Sequence, residues 1–119
     1  MTERSFSKRD VGDLQVIVGY CEDISHPTQL HGSAESDFHD NISLQYSCVF
    51  SLIQIGEAIK RLPYELRDET GAVDWKGLAG LRDKIAHAYG EIDTDMIRRT
   101  VLDEIPVLEK VCRSMIAKK

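Results

Sequence analysis

A chain of 119 residues with a net charge of −5 is sized for one domain, 1–119, with a core of its own. It is no polycation, which counts against broad electrostatic binding of nucleic acid. The balance is uneven: residues 1–59 carry 3 basic and 9 acidic side chains, residues 60–119 carry 12 and 11, so a local phosphate site in the second half stays open.

Ser7, followed three residues later by Asp10, has the pattern of a capping box with Asp in place of Glu. Val11, Leu14, Val18 and Cys21 then recur at helical spacing. The spacing predicts a first helix over 8–25, ended by His26-Pro27. Residues 26–40 are polar and hold Pro, Gly, Ser and three of the four histidines. They read as a loop or the frayed start of the next helix. His26, His31 and His39 lack the spacing of a helix-borne metal pair and have no cysteine nearby, so they read as solvated loop histidines.

The second helix is predicted over 36–62. It carries two apolar stripes, Ile42, Tyr46, Val49, Ile53 and Gly56 on one side and Leu52, Ile55, Ile59 and Leu62 on another. Two stripes imply burial on two sides, so this helix should be central or face a second subunit. Gly56 weakens a helix by roughly 1 kcal/mol relative to Ala, which a close-approaching neighbour would explain. Pro63 suits the first position of a short helix, 63–68. Thr70-Gly71 breaks the chain, and Asp74 is placed to cap a third helix running from Trp75 to about Tyr89, with Gly90 as its C-terminal cap. A fourth helix should start at Asp93 or Thr94 and run to about Ala117. Ile97, Val101, Ile105, Leu108, Val111, Cys112 and Met115 line one face, and Pro106 should kink it.

Together these predict an all-α fold, an up-and-down four-helix bundle with one short extra helix. Cys21, Cys48 and Cys112 are odd in number and fall at apolar helical positions, which predicts core thiols rather than a disulfide framework or zinc knuckle. Residues 1–10 are polar, and the most apolar stretch, 49–59, is short and interrupted by Gln54, Gly56 and Glu57. No leader and no membrane span are expected, and a reducing cytoplasm is the natural compartment.

Chemistry concentrates in one segment of helix three, where Arg82, Asp83, His87 and Tyr89 fall within eight residues. Asp83 and His87 are four apart and share a helix face, so the carboxylate can fix which imidazole nitrogen is free. Arg82 and His87 are five apart, about 140° round and about 7.5 Å along an ideal helix. Across a groove they supply a guanidinium for phosphate oxygens and an imidazole for proton transfer. Those are the minimum parts for cutting RNA without metal or cofactor: a base for the 2′-hydroxyl and a cation for the developing charge. Tyr89 lies about 200° from His87, and Gly90 would let it swing free of the helix. The same residues also suit an ordinary surface, with Arg82 paired to an exposed carboxylate and Asp83–His87 a plain i,i+4 contact.

The run Ile55-Gly56-Glu57-Ala58-Ile59-Lys60-Arg61-Leu62-Pro63, then Val73-Asp74-Trp75, then Gly80-Leu81-Arg82-Asp83-Lys84-Ile85-Ala86-His87-Ala88-Tyr89 resembles the HepT-like family of HEPN ribonuclease toxins. The family motif is Arg, a polar residue, a few variable residues, then His, any residue and Tyr, and Arg82, Asp83, His87 and Tyr89 fill it without a gap. The resemblance covers about 40–112 well and the first helix more loosely. It implies a helical homodimer whose two motifs meet across a cleft. Arg82 and His87 would be the catalytic pair acting on RNA, with Asp83 orienting them. It also implies a partner, a small nucleotidyltransferase antitoxin that attaches AMP to Tyr89. A non-catalytic RNA- or nucleotide-binding module, or a module that only assembles a complex, is the other reading of the same residues. The histidine-bearing 26–40 stretch departs from the family pattern.

Overall fold

The computed structural model describes residues 7–86 and 93–118. Helix α1, Lys8–His31, opens on the predicted capping box: the Asp10 backbone N–H donates to Ser7 Oγ at 3.0 Å, and the Ser7 N–H donates to Asp10 Oδ2 at 3.1 Å. The expected stop at Pro27 is overturned. Pro27 withholds one backbone donor, yet Ile24 and Thr28 on either side of it are fully buried, and the Thr28 hydroxyl lies 3.4 Å from Cys48 Sγ. Packing on that turn outweighs the lost hydrogen bond. The helix closes at Gly32, whose N–H donates to the Thr28 carbonyl at 2.9 Å.

The 26–40 stretch is therefore largely helical rather than a loop. After the end of α1 it forms α2, Glu35–His39, anchored by the buried Phe38. The predicted 36–62 helix is two helices. Asn41 breaks them, its side-chain oxygen accepting from the Leu44 N–H at 3.0 Å, and α3 runs Ile42–Arg61. Gln45 ties the two together by donating to the carbonyls of Phe38 and His39.

Of the two stripes on α3, Leu52, Ile55 and Ile59, continued by Leu62 at the cap, are buried. The other is open at one end: Ile42 is 59% and Tyr46 64% exposed, with Phe50 beside them at 57%. Val49 and Ile53 are half-buried. Tyr20 on α1 meets Phe50 edge to face, centroids 6.0 Å apart. At 20 residues α3 is long and apolar enough to cross a membrane by length and composition, contrary to the expectation from the shorter 49–59 stretch, but half of it packs inside the fold. The pairs Asp13–Arg61, Tyr20–Phe50 and Thr28–Cys48 run in opposite sequence order along α1 and α3, so the two helices lie antiparallel.

Helix α4, Tyr64–Arg67, is short, with Pro63 at its N-cap rather than its first helical position. Asp74 caps α5, Trp75–Ala79, as predicted, accepting from the Gly77 N–H at 3.1 Å. The expected continuous helix from Trp75 is broken at Gly80, and α6, Leu81–Ala86, follows. Residues 87–92, and with them the predicted Gly90 cap, lie outside the described residues.

Helix α7, Thr94–Arg99, is capped by Asp93. It passes through a π turn, Thr100–Glu104, into α8, Ile105–Ala117. The sequence predicted one kinked helix here; the accommodation is a widened turn. Pro106 has no N–H and crowds the carbonyl four residues back, and the Ile105 N–H reaches five residues back, to Thr100. The turn also repairs phase. Steps of four from Ile97 to Val101 to Ile105 overrun the 3.6-residue repeat, and a wider turn returns them to one side. Both Val101 and Ile105 are fully buried, as are Ile97, Leu108 and Cys112.

Helix α1 packs mainly on α3 and α8, and α5 and α6 pack on α3. The fold is an all-α helical bundle, with no strand among the described residues. The three cysteines are free and buried, and burial pushes their thiols up, Cys112 to about 12. His26, His31 and His39 are exposed, and the described residues hold no group of three or more side chains suited to a metal.

Candidate functional site

The motif segment is held by the α3–α5 contact. Trp75, Leu78 and Leu81 are buried and anchor α5 and the start of α6. Opposite them lies Gly56, where a Cβ would sit 2.8 Å from the Leu78 carbonyl oxygen and 3.4 Å from that of Ala79. Two backbone carbonyls occupy the space a side chain would fill, which is the close approach that a glycine inside an apolar helix predicted. That contact carries the chain over Gly80 and seats the first turn of α6 beside the next residue of α3, Glu57.

Arg82 stands on that turn with 63% of its side chain exposed, its Nη1 3.7 Å from Glu57 Oε1. Glu57 Oε2 accepts from Lys60 Nζ at 2.8 Å. The Lys60 hydrogen bond, helped by the positive charges of Lys60, Arg82 and Arg61, holds the Glu57 carboxyl below its usual range despite partial burial. The contact expected of an ordinary surface arginine is thus present. It leaves the guanidinium open to solvent, since one nitrogen makes a long ion pair and most of the side chain is uncovered.

Asp83 is exposed and makes no hydrogen bond or ion pair with another described residue. His87 and Tyr89 lie outside the described residues. The sequence placed Arg82 and Asp83 on one long helix; both stand exposed on the shorter α6, and the sequence reading gave no site role to Glu57 or Lys60. Gly56 was the available signal: whatever covers it must also approach its neighbour. Farther along, Lys84 faces Glu104 at the end of the π turn. Partial desolvation of its carboxyl, with the charge of Asp74, raises Glu104 above its usual range although the residue stands exposed, while Lys84 opposes this.

A family model for HepT-like ribonucleases matches residues 14–115 of this chain. The chain belongs to the HepT-like ribonuclease family. Among its relatives, a candidate RNase of Caldanaerobacter subterraneus subsp. tengcongensis is 38% identical over 106 residues, covering 89% of this chain and 93% of the relative. A candidate RNase of Methanocaldococcus jannaschii is 34% identical over 110 residues, 92% of this chain and 89% of that one. A protein of Thermococcus cleftensis named as a probable ribonuclease HepT is 32% identical over 95 residues, 76% of this chain and 86% of its own. No solved structure matches the chain. The sequence resemblance is thereby established at the level of the family. The match spans both halves of the bundle, including most of α1, and not only the motif.

Proposed function

We propose that this HepT-like ribonuclease is the toxin of a two-component toxin–antitoxin pair, an endoribonuclease acting in the cytoplasm as a single helical domain. Family membership over residues 14–115 is the observation that carries the reading. The exposed Arg82 guanidinium supports it, since it is free to meet a phosphate. In this reaction His87 removes the proton from an RNA 2′-hydroxyl, and the 2′-oxygen attacks the adjacent phosphorus. Arg82 faces the phosphate oxygens as charge builds on them. The bond to the 5′-oxygen breaks, and that oxygen takes a proton from the imidazolium, leaving a 2′,3′-cyclic phosphate and a 5′-hydroxyl. The substrate supplies its own nucleophile, and Arg82 and His87 supply the cation and the proton transfer, so the step is complete without a metal. Asp83 orients the pair.

The partner is a nucleotidyltransferase antitoxin that transfers AMP to Tyr89. A nucleotide beside the catalytic pair blocks RNA and adds negative charge where phosphate must bind. The active form is a homodimer, a reading supported by the open stripe of Ile42, Tyr46 and Phe50 on α3. Expression without the antitoxin tests the catalytic claim. Wild type should arrest growth and fragment RNA while His87→Ala does neither; equal growth and intact RNA in both would sink it. Intact mass after co-expression with a nucleotidyltransferase encoded beside this chain should rise by AMP in wild type and not in Tyr89→Phe.

A further inference from the structure

We infer that Glu57 is a positioning residue for this ribonuclease, its carboxylate holding the Arg82 guanidinium over the junction of α3 and α6 while Gly56 sets the spacing. The inference rests on the reading of Arg82 as the phosphate-facing cation and names what aims it. Two observations converge. The Glu57 carboxylate is divided, one oxygen engaged by Lys60 at 2.8 Å and the other 3.7 Å from Arg82 Nη1. Lys60, one helical turn away, biases the Glu57 side chain and leaves its other oxygen facing Arg82. The backbone of α5 rests on Gly56 at a distance no side chain would permit, so the separation of Glu57 and Arg82 is set by main chain rather than by adjustable side chains.

Charge makes the arrangement useful. Lys60, Arg61 and Arg82 all act on the Glu57 carboxylate; Arg61 is also paired with Asp13, and the charge of Lys60 alone would push the guanidinium away. One carboxylate between Lys60 and Arg82 removes that repulsion and leaves the trio with a net positive charge, still attractive to a phosphate. A single long contact to Nη1 leaves the other guanidinium donors free for phosphate oxygens. An exposed pair of this kind contributes little to stability, so its effect belongs to aim rather than to folding.

The test measures RNA cleavage by wild type, Glu57→Gln, Glu57→Asp, Arg82→Ala and the Glu57→Gln/Arg82→Ala double variant, together with the Arg82 Nε–Hε NMR signal. Glu57→Gln should lower kcat about tenfold, because small misplacements of a catalytic group cost rate, with KM little changed and the thermal midpoint unmoved. Glu57→Asp, which keeps the charge, should recover part of the loss. The double variant should be no slower than Arg82→Ala alone. The Arg82 signal should shift in Glu57→Gln. Unchanged kcat in Glu57→Gln while Arg82→Ala abolishes cleavage would overturn this inference and leave the functional reading standing, as would losses that simply multiply. If wild type cleaves no RNA, the functional reading fails, and an Arg82 signal unmoved by Glu57→Gln would overturn the pairing on its own.

Discussion

Glu104 illustrates how one side chain records its surroundings. It ends the π turn, where partial desolvation and Asp74 lift its carboxyl above the ordinary value of 4.5 while Lys84 pulls the other way. A raised folded-state value means that ionising Glu104 works against the fold. The penalty is absent well below the ordinary value and grows as pH rises through the raised one. Glu104→Gln should therefore raise the thermal midpoint slightly at neutral pH, since the group is exposed and its charge screened, and the gain should vanish at about pH 4. A gain of equal size at both pH values would contradict this account. The same scale shows why the candidate site was only partly legible. Arg82, Asp83, His87 and Tyr89 stand together in sequence and can be read off it. Glu57 lies 25 positions before Arg82, and no spacing rule links them; only the α5 carbonyls over Gly56 do.

At the scale of elements, local chemistry and packing divide the credit. The Ser7–Asp10 box and the Asp74 cap, and the helix start at Asp93 or Thr94, were readable because capping acts within one turn. Pro27 misled because a missing donor is local while the burial of Ile24 and Thr28 is not. The break at Asn41 was missed because the polar run before it also suits a solvent-facing helix start. Pro106 was recognised as a disturbance, but whether a helix kinks or widens depends on the core it must face. Gly56 offers the sharpest test of an element contact. Gly56→Ala gains up to roughly 1 kcal/mol of helix propensity but drives a methyl into backbone oxygen, and overpacking of this kind costs about 1–3 kcal/mol. We expect net destabilisation with a lowered denaturation midpoint. A midpoint that rises would mean α5 moves aside without cost.

Over the whole molecule, the open stripe of α3 and the site are one surface. Ile42, Tyr46, Phe50, Ile53 and Glu57 are spaced four, four, three and four residues apart, a single helical face that ends at the Glu57–Arg82 pair. An isologous two-fold contact along this stripe with its axis parallel to α3 would bring two such ends toward a shared cleft, which an ideal helix alone does not do for Arg82 and His87. Phe50→Glu should leave the thermal midpoint of the isolated chain nearly unchanged, since the ring is 57% exposed. It should halve the particle mass measured by light scattering and reduce RNA cleavage with it. A dimeric Phe50→Glu protein would place the pairing surface elsewhere. The uncovered stripe also bears on dose. For a site completed by pairing, the active species at low concentration grows with the square of the chain present. Under the toxin–antitoxin reading proposed above, a cell would then tolerate a trickle of free chain and respond sharply once synthesis outruns neutralisation.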